Sequence, residues 1–111
     1  MRMWMINPKL LCNKHLLGEH GEIHKHRHNF VKRHKIDKRI ELGQIEPSAM
    51  LIRHNELVLE MKTRGMNHQS PYEMPDISYL PASQRTFKVN RSAALEDLHR
   101  RCEACRGLSD E

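Results

Sequence analysis

Long hydrophobic runs are missing from this 111-residue sequence. No segment approaches the roughly 20 consecutive apolar residues that a helix needs to cross a bilayer, so we expect no membrane partner. The apolar start of the chain is interrupted at Pro8 and Lys9, and no small-residue cleavage site of a signal peptide follows it. We therefore expect residues 1–12 to belong to the mature protein and the chain to be cytoplasmic.

Cysteine is scarce, with three residues in the chain. Without an export signal, these cysteines indicate a reducing compartment and free thiols. The Cys102-x-x-Cys105 pair is compatible with half a zinc site or a redox couple, but a second such pair is missing and Cys12 is far away in sequence. The interpretation that we favour is buried thiols.

Histidine, in contrast, is abundant. Three of the nine histidines, His20, His24 and His28, recur every four residues, the spacing at which a helix offers imidazoles to a metal ion. His20 and His24 fall within an apolar stripe, where a histidine is more often packed and hydrogen-bonded, and no third type of ligand is evident nearby. We therefore predict no metal ion and no cofactor.

Helical periodicity dominates the chain and predicts an all-α fold with little or no strand. A chain of this length forms one modest core, so residues 1–111 are expected to be a single compact domain. An extended N-terminal arm and a long proline-containing loop over residues 66–90 would accompany three packed helices. The predicted helices run from Leu10 or Asn13 to about Lys35, from Pro47 or Ser48 to Gly65, and from Asn90 or Arg91 to about Gly107.

Candidate functional residues concentrate in residues 15–22, His-Leu-Leu-Gly-Glu-His-Gly-Glu. On a helix, His15, Glu19 and Glu22 share one face, because they are separated by four and three residues. We expect this face to point outward while a neighbouring apolar stripe packs inward, formed by Leu16, Leu17, Ile23, Phe30 and Val31. Such a face can hold an acid or base over a substrate. The alternative is the solvated charged face of an ordinary amphipathic helix.

Positive charge outweighs negative charge. Nineteen Lys and Arg against 14 Asp and Glu give a net charge of +5 and a pI of about 9.4, which favours a polyanionic partner such as nucleic acid. The charge is concentrated in a basic ridge of Lys25, Arg27, Lys32, Arg33, Lys35, Lys38 and Arg39. This ridge could neutralise several phosphates, the alternative being a solvated cationic face. His26, Asn29 and Arg33 continue the face that carries His15, Glu19 and Glu22, so a phosphate backbone bound there would be led toward the two carboxylates.

The pattern His-Leu-Leu-x-Glu-x-x-Glu, a short way from an N-terminus that begins Met-Arg, resembles the phage pyrimidine-dimer DNA glycosylase family, also called endonuclease V. Residues 45–48, followed by His54, Leu57 and residues 60–65, are similar to the turn and second helix of that family. These pieces span roughly the first half of the chain. The resemblance also implies three helices packed around one core.

The resemblance implies a DNA glycosylase with AP-lyase activity on damaged or modified pyrimidines in double-stranded DNA. The α-amine of Met1 would attack C1′ and form an imine, Glu22 matches the catalytic glutamate, and His15 would orient the site. We expect Met1 to be retained, because aminopeptidases that remove an initiator methionine need a small second residue and this chain has Arg2. A monomer in a bacterial host cytoplasm is the expected form.

The DNA-binding residues that we expect, partly from the resemblance and partly from the helix face that carries the carboxylates, lie in the arm and along the first helix. They are Arg2, Glu19, Lys25, His26, Asn29, Lys32 and Arg33. Arg2, Lys25 and Lys32 match basic positions of the family pattern, while Glu19 would help His15 to tune the site.

Two departures from the family pattern leave alternatives open. Gly21 stands where the family has an arginine, and residues 107–111 replace an aromatic, basic tail. A different lesion, a modified pyrimidine or an abasic site are therefore alternative substrates. A non-catalytic DNA-binding or phage-host interaction protein on the same scaffold is the alternative function, and a zinc-dependent module is a third, weaker one.

Overall fold

The computed structural model describes residues 2–67 and 71–109, and all regular structure in these two ranges is helical. The prediction of an all-α fold is thus confirmed. Short 3₁₀ turns precede α1 and α3, at Pro8–Leu10 and Pro47–Ala49. The helices are α1 (Asn13–Val31), α2 (Asp37–Glu41), α3 (Met50–Thr63), α4 (Ala82–Arg85), α5 (Arg91–Arg101) and α6 (Glu103–Ser109).

The first helix ends earlier than expected, at Val31 rather than near Lys35. Arg33 adopts a left-handed backbone conformation with φ of 53°, and the His34 N–H donates to the Asn29 carbonyl over 2.9 Å. This is a Schellman-type end, in which a left-handed residue lets the chain turn back onto the last carbonyls of the helix. Arginine occupies the position that glycine usually takes, which is why the sequence contained no stop signal here.

The third predicted helix is divided in two. Its start is as expected, since the Asn90 side chain caps α5 by accepting the Ala93 N–H over 3.0 Å. Cys102 then adopts an extended conformation with φ of −135° and ψ of 108°, and α6 begins after it. The expectation of one continuous helix to Gly107 is therefore wrong. The break turns the Cys102 thiol toward Cys12 at the start of the chain.

The core lies between α1 and α3, and the N-terminal arm is part of it. Met3, Trp4, Met5 and Ile6 are all buried, so the predicted extended arm is packed into the protein. Burial of each large apolar side chain contributes roughly 1.5–3 kcal/mol, so these four residues anchor the arm strongly. The arm thereby becomes a fixed element of the fold.

The inward stripe of α1 is narrower than predicted. Leu16, Ile23 and Phe30 are buried at intervals of seven residues, whereas Leu17 is 47% exposed and Val31 52% exposed. One further residue along a helix turns the side chain by about 100°, which takes Leu17 and Val31 away from α3. Polar side chains of α1 occupy the remaining inward positions.

No helix in the described ranges is long and apolar enough to cross a membrane.

Candidate functional site

The N-terminal arm is held by the turn that follows α2. The Met3 N–H donates to the Gln44 carbonyl over 2.8 Å, and the Arg2 guanidinium donates to the Gly43 carbonyl over 3.0 Å. Arg2 also lies 3.9 Å from the Asp97 carboxylate of α5. Arg2 and Met3 are therefore held by the turn after α2, and Arg2 also lies against α5. Met1, the predicted nucleophile, lies outside the described residues.

Glu19 forms a buried ion pair with Arg53. The Arg53 guanidinium donates to both Glu19 carboxylate oxygens, over 2.6 and 2.9 Å, and to the Ile6 carbonyl over 2.6 Å. This fork geometry satisfies both charges in the interior and joins α1, α3 and the arm. The expectation that Glu19 points outward is wrong, because its charge partner lies inside the fold. Glu19 is fully buried, so it has no exposed surface with which to contact DNA.

Glu22 and His26 lie next to each other on α1. The Glu22 side chain is 18% exposed, and its carboxylate oxygen lies 3.9 Å from His26 Nε2. Burial, reinforced by the positive charges of Arg39 and Lys25, lowers the pKa of His26 to about 4. His26 is therefore a neutral, buried ring at pH 7. The expected outward orientation of this histidine toward DNA is wrong, and Glu22 is the accessible member of the pair.

His15 faces the arm on one side and thiols on the other. Its ring lies edge to face with Trp4, with ring centroids 5.8 Å apart. Its Nδ1 is 3.2 Å from the Cys12 Sγ and 3.6 Å from the Cys105 Sγ. Burial lowers the pKa of His15, and the positive charge of Lys14 acts in the same direction. The residue expected to orient the site thus contacts the arm directly.

A cleft of about 240 Å³ opens beside the anchored arm. Its lining combines two cations with an aromatic ring and an imidazole, and consists of Arg2, Trp4, His15, Gln44 and Arg101. The Arg2 guanidinium lies over the Trp4 ring at 5.1 Å from its centroid. Positive charge of this kind can bind a phosphate close to the start of the chain.

The basic ridge is exposed, as expected from its charge. Lys25, Lys32 and Arg33 are exposed on the end of α1 and the turn after it, and Asn29 is half-buried. The Arg33 guanidinium lies over the Tyr79 ring at 4.6 Å from the centroid, so this ring keeps the cation in place. These four residues remain open to a phosphate backbone.

A histidine cluster joins α1 to α3, and its third member was not evident from the sequence. The ligand atoms of His20, His24 and His54 all lie within 4.8 Å of one another, and Tyr72 stacks on His54 with centroids 4.9 Å apart. Burial raises the pKa of Tyr72 to about 12. The spacing of His20 and His24 was visible in the sequence, but His54 comes from another helix, so only the packing of α1 against α3 reveals the group.

The three cysteines also come together. Cys12, Cys102 and Cys105 lie around His15, with the Cys12 and Cys102 sulfurs 3.8 Å apart. Of the two thiols predicted to be buried, Cys105 is buried and Cys102 is only partly buried. The distance in sequence between Cys12 and this pair does not keep them apart in space. The Cys102-x-x-Cys105 spacing was visible in the sequence, but its proximity to Cys12 and His15 is visible only in the fold.

The fold and site are those of an all-helical protein with a basic surface beside a fixed N-terminal arm. Compared with known families, residues 1–74 match the family described as pyrimidine dimer DNA glycosylase. The match covers two thirds of the 111 residues, and the chain belongs to this family. A DNA glycosylase role and a DNA substrate follow from the family. Neither the search of curated proteins nor that of solved structures gives a match.

Proposed function

We propose that this protein is a DNA glycosylase with AP-lyase activity, which acts as a monomer on damaged or modified pyrimidines in duplex DNA. The observation that carries the proposal, beyond the family, is the fixed N-terminal arm. Arg2 and Met3 each form a hydrogen bond to the turn after α2, and residues 3–6 are buried. An arm that merely trailed from the fold would not need this anchoring. A terminal amine that must reach a sugar carbon precisely does need it.

The nucleophile in this proposal is the α-amine of Met1. An α-amine has a pKa of about 7.7–8.0 against about 10.4 for a lysine, so a larger fraction is neutral near pH 7. The amine attacks C1′, its nitrogen forms a bond to that carbon, and the base leaves with the electrons of the glycosidic bond. The nitrogen then loses one proton, the C1′–O4′ bond breaks as O4′ takes up a proton, and a protonated imine joins the enzyme to the DNA.

Glu22 is the carboxylate in this reaction. Its negative charge stabilises the oxocarbenium-like sugar as the base departs. It then takes the C2′ proton, which allows the 3′ phosphate to leave and cuts the strand. Support for this role comes from its partial exposure and from its match to the family's glutamate, whereas Glu19 on the same helix is fully buried.

The remaining residues position the arm and the DNA. His15 holds Trp4, and the Glu19–Arg53 pair holds the arm at Ile6. His26 lies against Glu22 as a neutral ring. The phosphate backbone is bound by Arg2, Lys25, Asn29, Lys32 and Arg33. These contacts offset part of the cost of extruding a nucleotide from the duplex.

Borohydride trapping tests the proposal. The protein is incubated with UV-irradiated duplex, and separately with duplex containing one abasic site, in the presence of borohydride, which reduces an imine to a stable amine. We expect a covalent protein–DNA adduct on at least one substrate. Undamaged duplex is the control and should give none. If neither damaged duplex yields an adduct while both are bound, the proposal is wrong and the non-catalytic DNA-binding alternative is correct.

A further inference from the structure

Four possible metal ligands meet where the start of α1 approaches the α5–α6 segment. Cys12 immediately precedes α1, His15 lies in its first turn, and Cys102 and Cys105 lie at the break between α5 and α6 and in α6. The ligand atoms of all four lie within 4.8 Å of one another. The two pairs are about 90 residues apart in sequence, since Cys12 and Cys102 are separated by 90 positions. Only the tertiary fold brings them together.

Two of the distances within this cluster match the edges of a tetrahedral zinc site, and a third, at 3.2 Å, is shorter than the corresponding edge. Zinc binds thiolate sulfur at about 2.3 Å and imidazole nitrogen at about 2.0–2.1 Å, so the edges of the tetrahedron are about 3.8 Å for two sulfurs and about 3.6 Å for sulfur and nitrogen. The Cys12 and Cys102 sulfurs are 3.8 Å apart, and His15 Nδ1 is 3.6 Å from the Cys105 sulfur and 3.2 Å from that of Cys12. A disulfide would bring two sulfurs to about 2.05 Å, far closer than here.

We propose that Cys12, His15, Cys102 and Cys105 bind one zinc ion in a closed structural site. The ligand set is Cys₃His, one of the sets found in structural zinc sites, and Cys102 and Cys105 have the Cys-x₂-Cys spacing typical of such sites. Thiolate ligands select zinc over the oxygen-preferring magnesium and calcium. Four protein ligands leave no open position for substrate or water, so the ion stabilises the fold and takes no part in the reaction.

Backbone N–H groups around the cluster support thiolate ligands. The Cys12 N–H donates to the Cys105 sulfur over 3.2 Å, and the Cys105 N–H donates to the Cys102 sulfur over 3.4 Å. Hydrogen bonds of this kind orient metal-binding sulfurs and stabilise their negative charge. Cys105 is fully buried and the other three ligands are partly buried, which protects the site from solvent.

The zinc ion would connect the part of the chain that matches the family to the part that does not. Cys12 and His15 lie within residues 1–74, whereas Cys102 and Cys105 lie beyond them. Through the contact of His15 with Trp4, the ion would also fix the N-terminal arm. The zinc proposal does not depend on the glycosylase reaction, and its tests measure metal content and ligand type only.

Metal analysis of the purified full chain is the first test. The protein is expressed without added metal, purified under reducing conditions and dialysed, and its zinc content is measured by elemental analysis. We expect one zinc per chain. Cobalt(II) added after chelation should give thiolate-to-metal charge-transfer absorption and the strong visible bands of tetrahedral coordination. A chain without stoichiometric metal that also fails to give a cobalt–thiolate spectrum would overturn the proposal.

Matched variants then assign the metal to one of the two clusters. Cys102→Ser removes a ligand of the proposed site, and His20→Ala removes a member of the histidine cluster. We expect Cys102→Ser to lose zinc to a chelator at a rate at least tenfold higher than the parent, and His20→Ala to lose it at the rate of the parent. The reverse pattern would place the metal at the histidines and overturn the assignment.

X-ray absorption on the parent protein covers the case in which Cys102→Ser fails to fold. The proposed site requires three sulfurs and one nitrogen in the first shell of zinc. A shell of nitrogen and oxygen only would contradict it, as would intact mass under non-reducing conditions that shows a disulfide in freshly purified protein.

Discussion

At the scale of single residues, the two carboxylates of the α1 motif lie in different environments. Glu22 is partly exposed beside the neutral ring of His26, while Glu19 is fully buried against Arg53. A carboxylate that must meet a sugar needs access. A carboxylate that neutralises a buried guanidinium must itself be buried. The difference in burial therefore predicts different consequences for the same Glu→Gln change.

Glu22→Gln should leave DNA binding intact and reduce turnover. The change is nearly isosteric and removes a negative charge near DNA, but the amide cannot stabilise a cationic sugar or accept the C2′ proton. We expect a loss of about 10²-fold or more in single-turnover base release. Binding is measured in parallel with the same duplex. Turnover equal to that of the parent would remove Glu22 from the mechanism.

Glu19→Gln should destabilise the protein. The Arg53 charge would remain buried without its partner, at a cost of about 3–5 kcal/mol in the free energy of unfolding. Glu56→Gln is a matched control, because Glu56 lies 3.6 Å from the same guanidinium but its side chain is 48% exposed. That change should cost less than about 1 kcal/mol. Urea unfolding of both variants checks the prediction, and equal losses would contradict it.

At the scale of elements, the turn after α2 acts as the anchor of the arm. Gly43 has φ of 74°, its carbonyl accepts Arg2, and the next carbonyl, of Gln44, accepts the Met3 N–H. The Gln44 N–H in turn donates to the Arg39 carbonyl over 2.9 Å, which closes the end of α2. The left-handed conformation of Gly43 thus positions the two carbonyls that hold Arg2 and Met3.

Gly43→Ala should therefore destabilise the fold by about 1–2 kcal/mol, because an L residue in the left-handed region brings its Cβ close to the carbonyl. Space is not the obstacle, since the nearest atom to an added Cβ is in the Phe87 ring at 3.9 Å. Gly21→Ala provides the contrast: Gly21 lies within α1 with nothing within 4 Å of an added Cβ. That change should stabilise by about 0.5–1 kcal/mol. Thermal unfolding of both variants measures the two changes in stability, which should have opposite signs. Changes of the same sign would contradict the explanation.

The basic end of α1 should contribute to DNA binding by charge alone. Lys25→Ala with Lys32→Ala removes two exposed cations, so the slope of log K against log salt should fall by up to about 1.8. Lys62→Ala on α3, also exposed, is the control and should change the slope little. Fluorescence titration of a labelled duplex at several salt concentrations measures this slope for each variant. An unchanged slope in the double variant would show that the ridge does not bind phosphates.

At the scale of the whole molecule, the arm, the turn after α2 and the α5–α6 segment form one continuous support. Arg2 bridges Gly43 and Asp97, and His15 lies between Trp4 and the cysteines. Parts of the chain separated by about 90 residues therefore hold the same N-terminal segment. This arrangement suits a reaction at the terminus of the chain.

Blocking the N-terminus should abolish the borohydride adduct. A residual N-terminal tag or acetylation removes the free α-amine of Met1, while the anchoring of residues 2–6 keeps the fold. A tag at the C-terminus, which leaves the amine free, should preserve the adduct. Peptide mapping of the reduced complex provides the decisive measurement. An adduct at Lys9, Lys14 or Lys25 would show that Met1 is not the nucleophile.

Helical periodicity and motif spacing were sufficient to predict much of this protein. The all-α class and the approximate positions of α1, α3 and α5 follow from the order of apolar and polar residues, since a helix repeats every 3.6 residues. The His15–Glu22 pattern, together with the shorter similarities between residues 45 and 65, likewise indicated the family. These features depend on residues that are close together in sequence.

Only the tertiary structure determined which residues of other helices contact each polar helix face. Spacing places Glu19 and Glu22 on one face, but the position of Arg53, 34 residues from Glu19, determines that Glu19 is inside. In the same way, His54 joins His20 and His24, and the late cysteines join Cys12 and His15, through the packing of separate helices. The physical reason is that periodicity defines a face of one helix, whereas burial, charge pairing and metal geometry depend on what another helix brings against it.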